Sequence, residues 1–368
     1  MDWALLTEWI IKSLVLIFGL IGGFAYLTLF ERKVLARFQV RIGPNRAGPY
    51  GVLQPIADAV KLIFKEELIP AKADKLTFIA APIITVIPAL IILAVVPFGP
   101  DIQLFGRTIT LYISNLNVAI LYIMSVTSIS VYGIVLAGWS SNNKYATLGG
   151  IRSTAQMISY ELALGLGFVG PILLSGSLSM VDIVEAQRKF WFFLYQPVGA
   201  FIFWIATLAE VNRAPFDMPE AEQELTAGYH TEYSGMKFAL FFMAEYIKMI
   251  AVSAIAVTLF FGGYRGPFVD KLPLLGPIYF LIKVALFLYF MVWVRATLPR
   301  IRYDRLMAFG WKLLFPISLG NVLLTAVGIG LVELTGNNLW MWFIPVSTIL
   351  FFLLVSQFAQ GAVAGGNK

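Results

Sequence analysis

Long apolar runs separated by shorter polar segments make up most of the chain. A helix needs roughly 20 mostly apolar residues to cross a bilayer. About nine runs of this kind occur, at about residues 8–30, 76–97, 117–138, 154–175, 191–209, 238–262, 274–295, 312–333 and 339–358. The pattern predicts an all-α fold, a polytopic transmembrane helix bundle that forms a single membrane domain over residues 1–368.

The loops between these runs differ in their content of lysine and arginine. Basic residues cluster in the first loop and in every second loop after it, whereas the alternate loops contain few. Because such residues stay on the cytoplasmic side, the asymmetry predicts an N-terminus outside. It also predicts two long cytoplasmic loops, residues 31–75 and 210–237.

The first of these loops has two parts. Residues 41–51 are rich in glycine and proline, which indicates turns with a defined backbone path. Apolar residues then recur at three- and four-residue spacing, at Leu53, Ile56, Val60 and Ile63. This spacing predicts an amphipathic helix at about 53–66, too short to span and expected to lie at the membrane interface.

The second loop is acidic, and its carboxylates alternate with apolar residues and prolines. Its acidic residues are Glu210, Asp217, Glu220, Glu222, Glu224 and Glu232. Crowded carboxylates share protons, which favours a proton-handling role, with a cation-binding site as the alternative. His230 lies in the same loop and is either a proton donor or a structural residue.

Composition narrows the chemistry that this chain carries by itself. Charged residues make up 13% of the chain, whereas soluble domains carry about 25%. The absence of cysteine excludes thiolate-bound iron–sulfur clusters, zinc–thiolate sites and disulfides, and one histidine excludes a multi-histidine metal site. The net charge of +6 reflects loop topology rather than nucleic-acid binding. No nucleotide-binding or nucleophile motif occurs.

Ionisable residues interrupt several of the apolar runs. A charge at the bilayer centre costs at least about 2.5 kcal/mol, so Glu161 is expected to face the bundle interior. We interpret it as a proton-handling group, with a structural hydrogen bond as the alternative. Glu245 and Lys248 share one helix face and form either part of a proton relay or a self-neutralising ion pair. Lys283 also lies within a span, and it either takes part in the function of the chain or has a structural role.

Motifs from about residue 5 to 310 resemble one family, in the same order. They include Glu31-Arg-Lys33, Arg41-Ile-Gly-Pro-Asn-Arg46, Leu53-Gln-Pro-Ile-Ala-Asp58, Ile158-Ser-Tyr-Glu161, Arg213-Ala-Pro-Phe-Asp217, Pro219-Glu-Ala-Glu-Gln-Glu-Leu225, Gly228-Tyr-His-Thr-Glu-Tyr-Ser234 and Ala244-Glu-Tyr246. The family comprises the H subunits of bacterial respiratory complex I, the proton-pumping NADH:quinone oxidoreductase. Its mitochondrial member is the first ND subunit.

The resemblance implies an enzyme subunit without a redox cofactor of its own. Members of the family anchor the hydrophilic arm and form the membrane side of a quinone chamber. The implied chamber residues are Glu31, Arg32, Arg41, Arg46, Asp58, Lys65, Arg213 and Arg295. The residues implied to transfer protons or couple their movement are Glu161, Glu245, Glu210, Glu220, Glu222, Glu224, Asp217 and Tyr160. Further candidates are Lys248, Lys283 and His230.

The resemblance also implies the surroundings of the chain. Ubiquinone or menaquinone is the expected substrate, while FMN and iron–sulfur clusters belong to partner subunits. The expected partners are quinone-site subunits of the hydrophilic arm, small membrane subunits, antiporter-like subunits and lipid, in a bacterial inner membrane. The alternatives are the corresponding subunit of a ferredoxin-linked quinone reductase or membrane-bound hydrogenase, and a purely structural anchor.

Overall fold

A computed structural model describes residues 3–104, 107–218 and 227–365 of the chain. It is a helical bundle, and within those ranges eight helices are long and apolar enough to cross a membrane. The predicted all-α polytopic fold is confirmed. The described residues add one small feature that no sequence pattern indicated, an antiparallel hairpin of β1 (Ile102–Leu104) and β2 (Arg107–Ile109).

The helix bounds in the described residues are as follows. The α-helices are α1 (Trp3–Phe38), α2 (Gln54–Ile63), α3 (Lys75–Ile91), α4 (Ala119–Ser140), α5 (Lys144–Ser175), α6 (Met180–Ala186), α7 (Phe192–Tyr195), α8 (Pro197–Glu210), α9 (Gly235–Phe260), α10 (Leu275–Thr297), α11 (Tyr303–Phe309), α12 (Phe315–Thr335) and α13 (Phe343–Gly365). A π-helical turn, Gly310–Leu314, joins α11 to α12. Short 3-10 helices occur at Pro49–Gly51, Ile92–Val95, Gly228–His230 and Asn338–Trp342.

Helix α1 is longer than the first predicted span. Its 36 residues extend about 54 Å, well beyond the roughly 30 Å hydrocarbon core of a bilayer. Glu31 and Arg32 therefore lie on the last turns of this helix and not in a loop. The first inside loop begins after Phe38, later than the predicted start at residue 31.

The fifth predicted span, residues 191–209, is divided into two helices. α7 and α8 meet at Gln196, because Pro197 begins α8 and lacks the amide donor that a continuous helix needs. α8 has 14 residues and extends about 21 Å, so it is shorter than the spans around it. The other eight predicted spans each coincide with one of the long helices.

Helix α9 occupies the centre of the bundle. It packs against α1, α3 and α10, and it is the most deeply buried of the long helices. α3 and α4 approach closely beside it, since a Cβ atom on Gly133 would lie 2.1 Å from Thr85 Oγ1. The amphipathic helix is present as α2, four residues shorter than predicted, and it packs against α1 and α9. Few residues of the α1 span are buried inside the described structure.

Candidate functional site

Four charged side chains meet at the end of the bundle that the sequence predicts to be cytoplasmic. Arg213 lies between two carboxylates, with its Nη1 3.3 Å from Glu31 Oε1 and its Nε 2.7 Å from Glu245 Oε1. Arg295 contacts the same oxygen of Glu31 from α10. These four residues, the ion-pair cluster, come from α1, α9, α10 and the segment that follows α8.

The ion-pair cluster is electrically balanced, and its two central residues are buried whereas Glu245 and Arg295 are partly exposed. Arg213 exposes 2% of its surface and Glu31 exposes 3%. Burial opposes the charge on Arg213, but the carboxylates of Glu245 and Glu31 outweigh it and hold the pKa of Arg213 above its ordinary value. The guanidinium carbon also lies 4.3 Å from the ring centre of Tyr246, a cation–π contact. Removing one partner would leave a buried charge unpaired.

A buried amide fixes the segment that carries Arg213. Gln156, on α5, donates from Nε2 to the carbonyl oxygens of Ala209 and Phe216, at 2.8 and 2.7 Å. These two bonds hold the backbone on both sides of Arg213. Sequence reasoning missed Gln156 because it considered only charged residues within the spans. An uncharged amide in a long apolar run was the available indication.

Lys248 connects the ion-pair cluster to further carboxylates. Its Nζ donates to Ser130 Oγ at 2.6 Å, and both side chains are buried. Lys248 also interacts electrostatically with Glu210, Glu245 and Glu161. These three carboxylates come from α8, α9 and α5. Lys248 therefore interacts with more than Glu245, its partner in the ion pair that the sequence left open as one alternative.

Glu161 lies where α4 meets α5. The Ser128 hydroxyl donates to Glu161 Oε1. Glu161 is half-buried, and the nearby side chains of Ile158 and Leu162 on the same helix are exposed. Ser128 and Ser130 were also missed in the sequence, although the polar run 125–130 in the third predicted span indicated a helix face with hydroxyl groups.

A small polar cavity lies between the acidic loop and the spans. Its volume is about 20 Å³, and its lining includes Glu210, Asp217, His230, Glu245 and Lys248. Residues that the sequence places in separate segments are therefore neighbours. The cavity is a direct physical connection between the described part of the acidic loop and the carboxylates within the membrane.

Asp217 attaches the acidic loop to the linker between α10 and α11. Its Oδ2 lies 3.1 Å from Arg300 Nη2. The Ile301 amide donates to the carbonyl oxygen of Pro215 at 3.1 Å in the same region. Three more acidic residues predicted for this site, Glu220, Glu222 and Glu224, lie outside the described residues.

The remaining predicted chamber residues lie nearer the surface. Arg32 Nη1 is 2.6 Å from Asp58 Oδ2, and this ion pair joins the end of α1 to α2. Arg41, Arg46 and Lys65 are exposed. The fold therefore brings Glu31, Arg213 and Arg295 together in the ion-pair cluster and leaves the basic residues of the first loop on the outside of the protein.

Tyr160 and Glu161 are adjacent in sequence but make different contacts. Tyr160 is fully buried, and its hydroxyl donates to Leu306 O at 2.9 Å. Its ring centre lies 5.5 Å from that of Phe216. Successive helical residues point about 100° apart, so Tyr160 faces α11 while Glu161 faces α4. These contacts favour a structural role for Tyr160, which holds α5 against α11.

Lys283 makes contacts of a structural kind near the opposite end of the bundle. Its Nζ donates to three backbone carbonyls, those of Phe261 at 2.7 Å, Gly263 at 2.9 Å and Arg265 at 2.7 Å. The ammonium also lies 5.0 Å from the ring centre of Trp191. These carbonyls belong to Phe261, the C-cap residue of α9, and to the turn that follows it, so Lys283 fixes the chain where it leaves α9.

Replacing Lys283 with methionine is expected to lower the stability of the assembled complex by about 1–3 kcal/mol, because partly buried carbonyl groups lose their donor. The Lys283→Arg variant keeps a cation and should lose less. Thermal unfolding of the purified complex, followed by intrinsic fluorescence, measures the difference. Unchanged thermal stability in Lys283→Met would contradict this structural role.

His230 lies among aromatic rings and lines the small cavity. The ring centres of Tyr229 and Phe241 are 3.9 and 5.4 Å from that of His230. Burial lowers the pKa of His230 to about 3. The imidazole therefore stays neutral at physiological pH, and it is not a group that changes charge between pH 5 and 8.

A second, much larger cavity follows α1. Its volume is about 790 Å³, and α1, α9, α10 and residues 109–113 line it. On α1 the lining extends from Ile11 to Phe30, the residue directly before Glu31. Its lining side chains are almost entirely apolar, so the cavity suits a hydrocarbon chain better than a polar group.

Comparisons with known proteins agree on one family. A sequence profile described as NADH dehydrogenase matches residues 11–326. The H subunit of NADH-quinone oxidoreductase from Thermomicrobium roseum is 51% identical over 346 residues, which covers 91% of this chain and 99% of the relative. The H subunit from Protochlamydia amoebophila is 52% identical over 302 residues, 82% of this chain and 91% of the relative.

A third relative extends this agreement. NADH-quinone oxidoreductase subunit 8 of Thermus thermophilus is 50% identical over 322 residues, covering 87% of each chain. Identity of this extent over most of both chains confirms the resemblance that the motifs indicated. The chain belongs to the NADH dehydrogenase family whose members include these subunits of NADH-quinone oxidoreductase.

Proposed function

We propose that this chain is the membrane subunit of a proton-pumping NADH:quinone oxidoreductase. In this proposal it forms the membrane side of the quinone chamber, anchors the hydrophilic arm and couples quinone reduction to proton movement through buried carboxylates. The names of the relatives support the overall reaction. The observation that carries the chamber proposal is the 790 Å³ apolar cavity, whose lining ends one residue before Glu31 of the ion-pair cluster.

The dimensions of the large cavity match the hydrocarbon tail of a quinone. From Ile11 to Phe30 the cavity follows α1 for about 28 Å, close to the roughly 30 Å hydrocarbon thickness. The tail would lie along α1, and the polar head group would approach the ion-pair cluster. In terms of the spans, the cavity is lined by the first, sixth and seventh, which are α1, α9 and α10.

The ion-pair cluster supplies a means of coupling. Reducing a quinone takes up protons and transiently places negative charge near the head group. Such a charge about 4 Å from a guanidinium interacts by about 4 kcal/mol at an effective dielectric constant of 20. That is enough to compete with Glu245 for Arg213. Glu245 would then shift its interaction towards Lys248, which also faces Glu210 and Glu161.

The surroundings of the chain follow from the same proposal. The exposed basic residues Arg41, Arg46 and Lys65 are placed to bind the hydrophilic arm on the cytoplasmic side. Partner subunits in that arm would hold the FMN and the iron–sulfur clusters. Small membrane subunits and antiporter-like subunits would pack beside the chain in a bacterial inner membrane, and ubiquinone or menaquinone would be the substrate.

Narrowing the large cavity is expected to slow the use of long-tailed quinones selectively. Gly19 lines the cavity, and a Cβ atom there would meet no other atom within 4 Å. The Gly19→Phe variant should therefore fill the cavity without disturbing the helices, and raise KM for a long-tailed quinone about tenfold or more. A short-tailed analogue and a soluble electron acceptor should be reduced at unchanged rates.

Gly22 provides a matched control on the same helix. A Cβ atom at Gly22 also meets nothing within 4 Å, and Gly22 is not part of the cavity lining. Gly22→Phe should leave KM for both quinones unchanged. If Gly19→Phe also leaves the long-tailed quinone unaffected in intact complex, the cavity is not the tail site, and a purely structural anchor becomes the better description.

A further inference from the structure

The small cavity between the acidic loop and the spans contains polar atoms that its protein neighbours leave unpaired. Glu210 Oε2 and His230 Nδ1 are both buried, and among the described residues neither has a hydrogen-bond partner. Both residues line this cavity of about 20 Å³. A buried polar atom without a partner costs about 1–3 kcal/mol, so two in one place indicate a ligand that satisfies both.

We infer that this cavity is the binding site of a single water molecule held by Glu210 Oε2 and His230 Nδ1. A water needs at least about 10–15 Å³ and two to four polar partners, and the cavity volume of about 20 Å³ is enough to hold one. This inference rests on the proposed function, because it assigns the water a place in the proton path of this subunit.

The lining also provides a donor for the same water. Lys248 Nζ uses one of its three protons on Ser130 Oγ, and the lysine lines the cavity. The water can accept a hydrogen bond from Lys248 and donate to Glu210 and His230. Its oxygen and both protons are then satisfied, which is the pattern of a well-ordered buried water.

The neutral state of His230 suits it for this position. An imidazolium would have protons on both nitrogens and could not accept a hydrogen bond at Nδ1. Burial keeps the pKa of His230 near 3, so the ring is neutral and, with its proton on Nε2, accepts at Nδ1. His230 is thus a positioning residue that orients the water and does not itself carry the proton.

The water connects two parts of the proposed proton path, the acidic loop and the spans. Asp217 of the acidic loop and Glu210, Glu245 and Lys248 of the spans all line its cavity. A proton can pass from a loop carboxyl to the water while one of the water's own protons passes to Glu210. The water is neutral before and after this exchange. His230 would fix the water in the orientation that this exchange requires.

Two substitutions at His230 test the site. His230→Asn keeps a side-chain acceptor near the position of Nδ1, whereas His230→Phe keeps the ring shape and removes the polar atoms. We expect His230→Phe to lower quinone-coupled proton pumping about tenfold and to change its solvent deuterium isotope effect, while NADH oxidation by a soluble acceptor is unchanged. His230→Asn should retain most of the pumping. Normal pumping in His230→Phe would overturn the inference.

A density map of the intact complex, at a resolution that shows ordered waters, gives an independent test. The expected result is one peak within hydrogen-bond distance of both Glu210 Oε2 and His230 Nδ1, present in the native complex and absent from His230→Phe. The lack of that peak in the native complex would refute the water site even if both variants fail to assemble. The proposed function would survive this outcome if Gly19→Phe still raised KM for long-tailed quinone.

Discussion

Replacing Arg213 with methionine is expected to destabilise the complex by about 3–5 kcal/mol and to abolish quinone reduction in whatever complex assembles. Arg213 is buried and paired with Glu31 and Glu245, so its removal leaves two carboxylates facing each other without a cation between them. Arg295 still contacts Glu31 and compensates that carboxylate in part. Methionine also loses the cation–π contact with Tyr246.

An exposed ion pair provides the control for this experiment. Arg302 Nε lies 3.4 Å from Asp304 Oδ2, and both side chains are about three-quarters exposed. A surface pair of this kind contributes about 0–1 kcal/mol, so Arg302→Met should have little effect. Thermal unfolding and quinone reductase activity of both variants are compared in purified complex. Equal behaviour of Arg213→Met and Arg302→Met would contradict a central role for the ion-pair cluster.

Replacing Glu161 with glutamine is expected to reduce quinone-coupled proton pumping about tenfold, while electron transfer from NADH to a soluble acceptor continues at its normal rate. Glutamine has nearly the same shape and still accepts a hydrogen bond from Ser128, so the contact between α4 and α5 is kept. What it loses is the ability to take up and release a proton.

The position of Glu161 explains why this one carboxyl should matter. It faces Lys248 electrostatically on one side, and it lies near the exposed residues Ile158 and Leu162 on the other. In the proposed complex that exposed face of α5 is available to neighbouring membrane subunits. In the proposed mechanism Glu161 would therefore pass a proton out of this chain, whereas Glu31 and Glu245 would stay in the ion-pair cluster at the cytoplasmic end.

The sequence predicts the membrane fold well because the bilayer imposes a simple requirement. A spanning helix must be long and apolar, and eight of nine predicted spans coincide with long helices. The fifth span is predicted too simply, because the hydropathy of residues 191–209 does not reveal that Pro197 starts a new helix. The end of α1 is also missed, since Glu31 and Arg32 look like loop residues when only polarity is considered.

The arrangement of the candidate site depends on contacts between residues far apart in the chain. Arg213 pairs with Glu31, 182 residues away, and Arg295 contacts Glu31 across 264 residues. No spacing in a single sequence shows such pairs. The motifs indicated that these residues matter, and the helix packing determines which of them meet. Gln156 and Ser130 were missed because only charged residues within the spans were considered, and the packing shows which backbone groups and side chains they contact.

Lys283 is a charged residue within a span whose contacts favour a structural role. A lysine within a span requires partners, and the sequence left a functional and a structural interpretation open. Its three carbonyl contacts lie at the end of α9 that is opposite to the ion-pair cluster. Whether a charged residue in a span is interpreted as functional or structural therefore depends on the groups that it contacts.

If this chain couples quinone chemistry to proton movement through carboxylates in its spans, the proton-to-electron ratio of complex reconstituted in proteoliposomes must depend on them. Glu161→Gln is compared with Glu333→Gln, a carboxyl that is exposed near the end of α12. We expect the ratio for quinone reduction to fall in Glu161→Gln and to stay normal in Glu333→Gln, with soluble-acceptor activity equal in both. A normal ratio in Glu161→Gln, or an equal loss of pumping and soluble-acceptor activity in intact complex, would contradict this coupling.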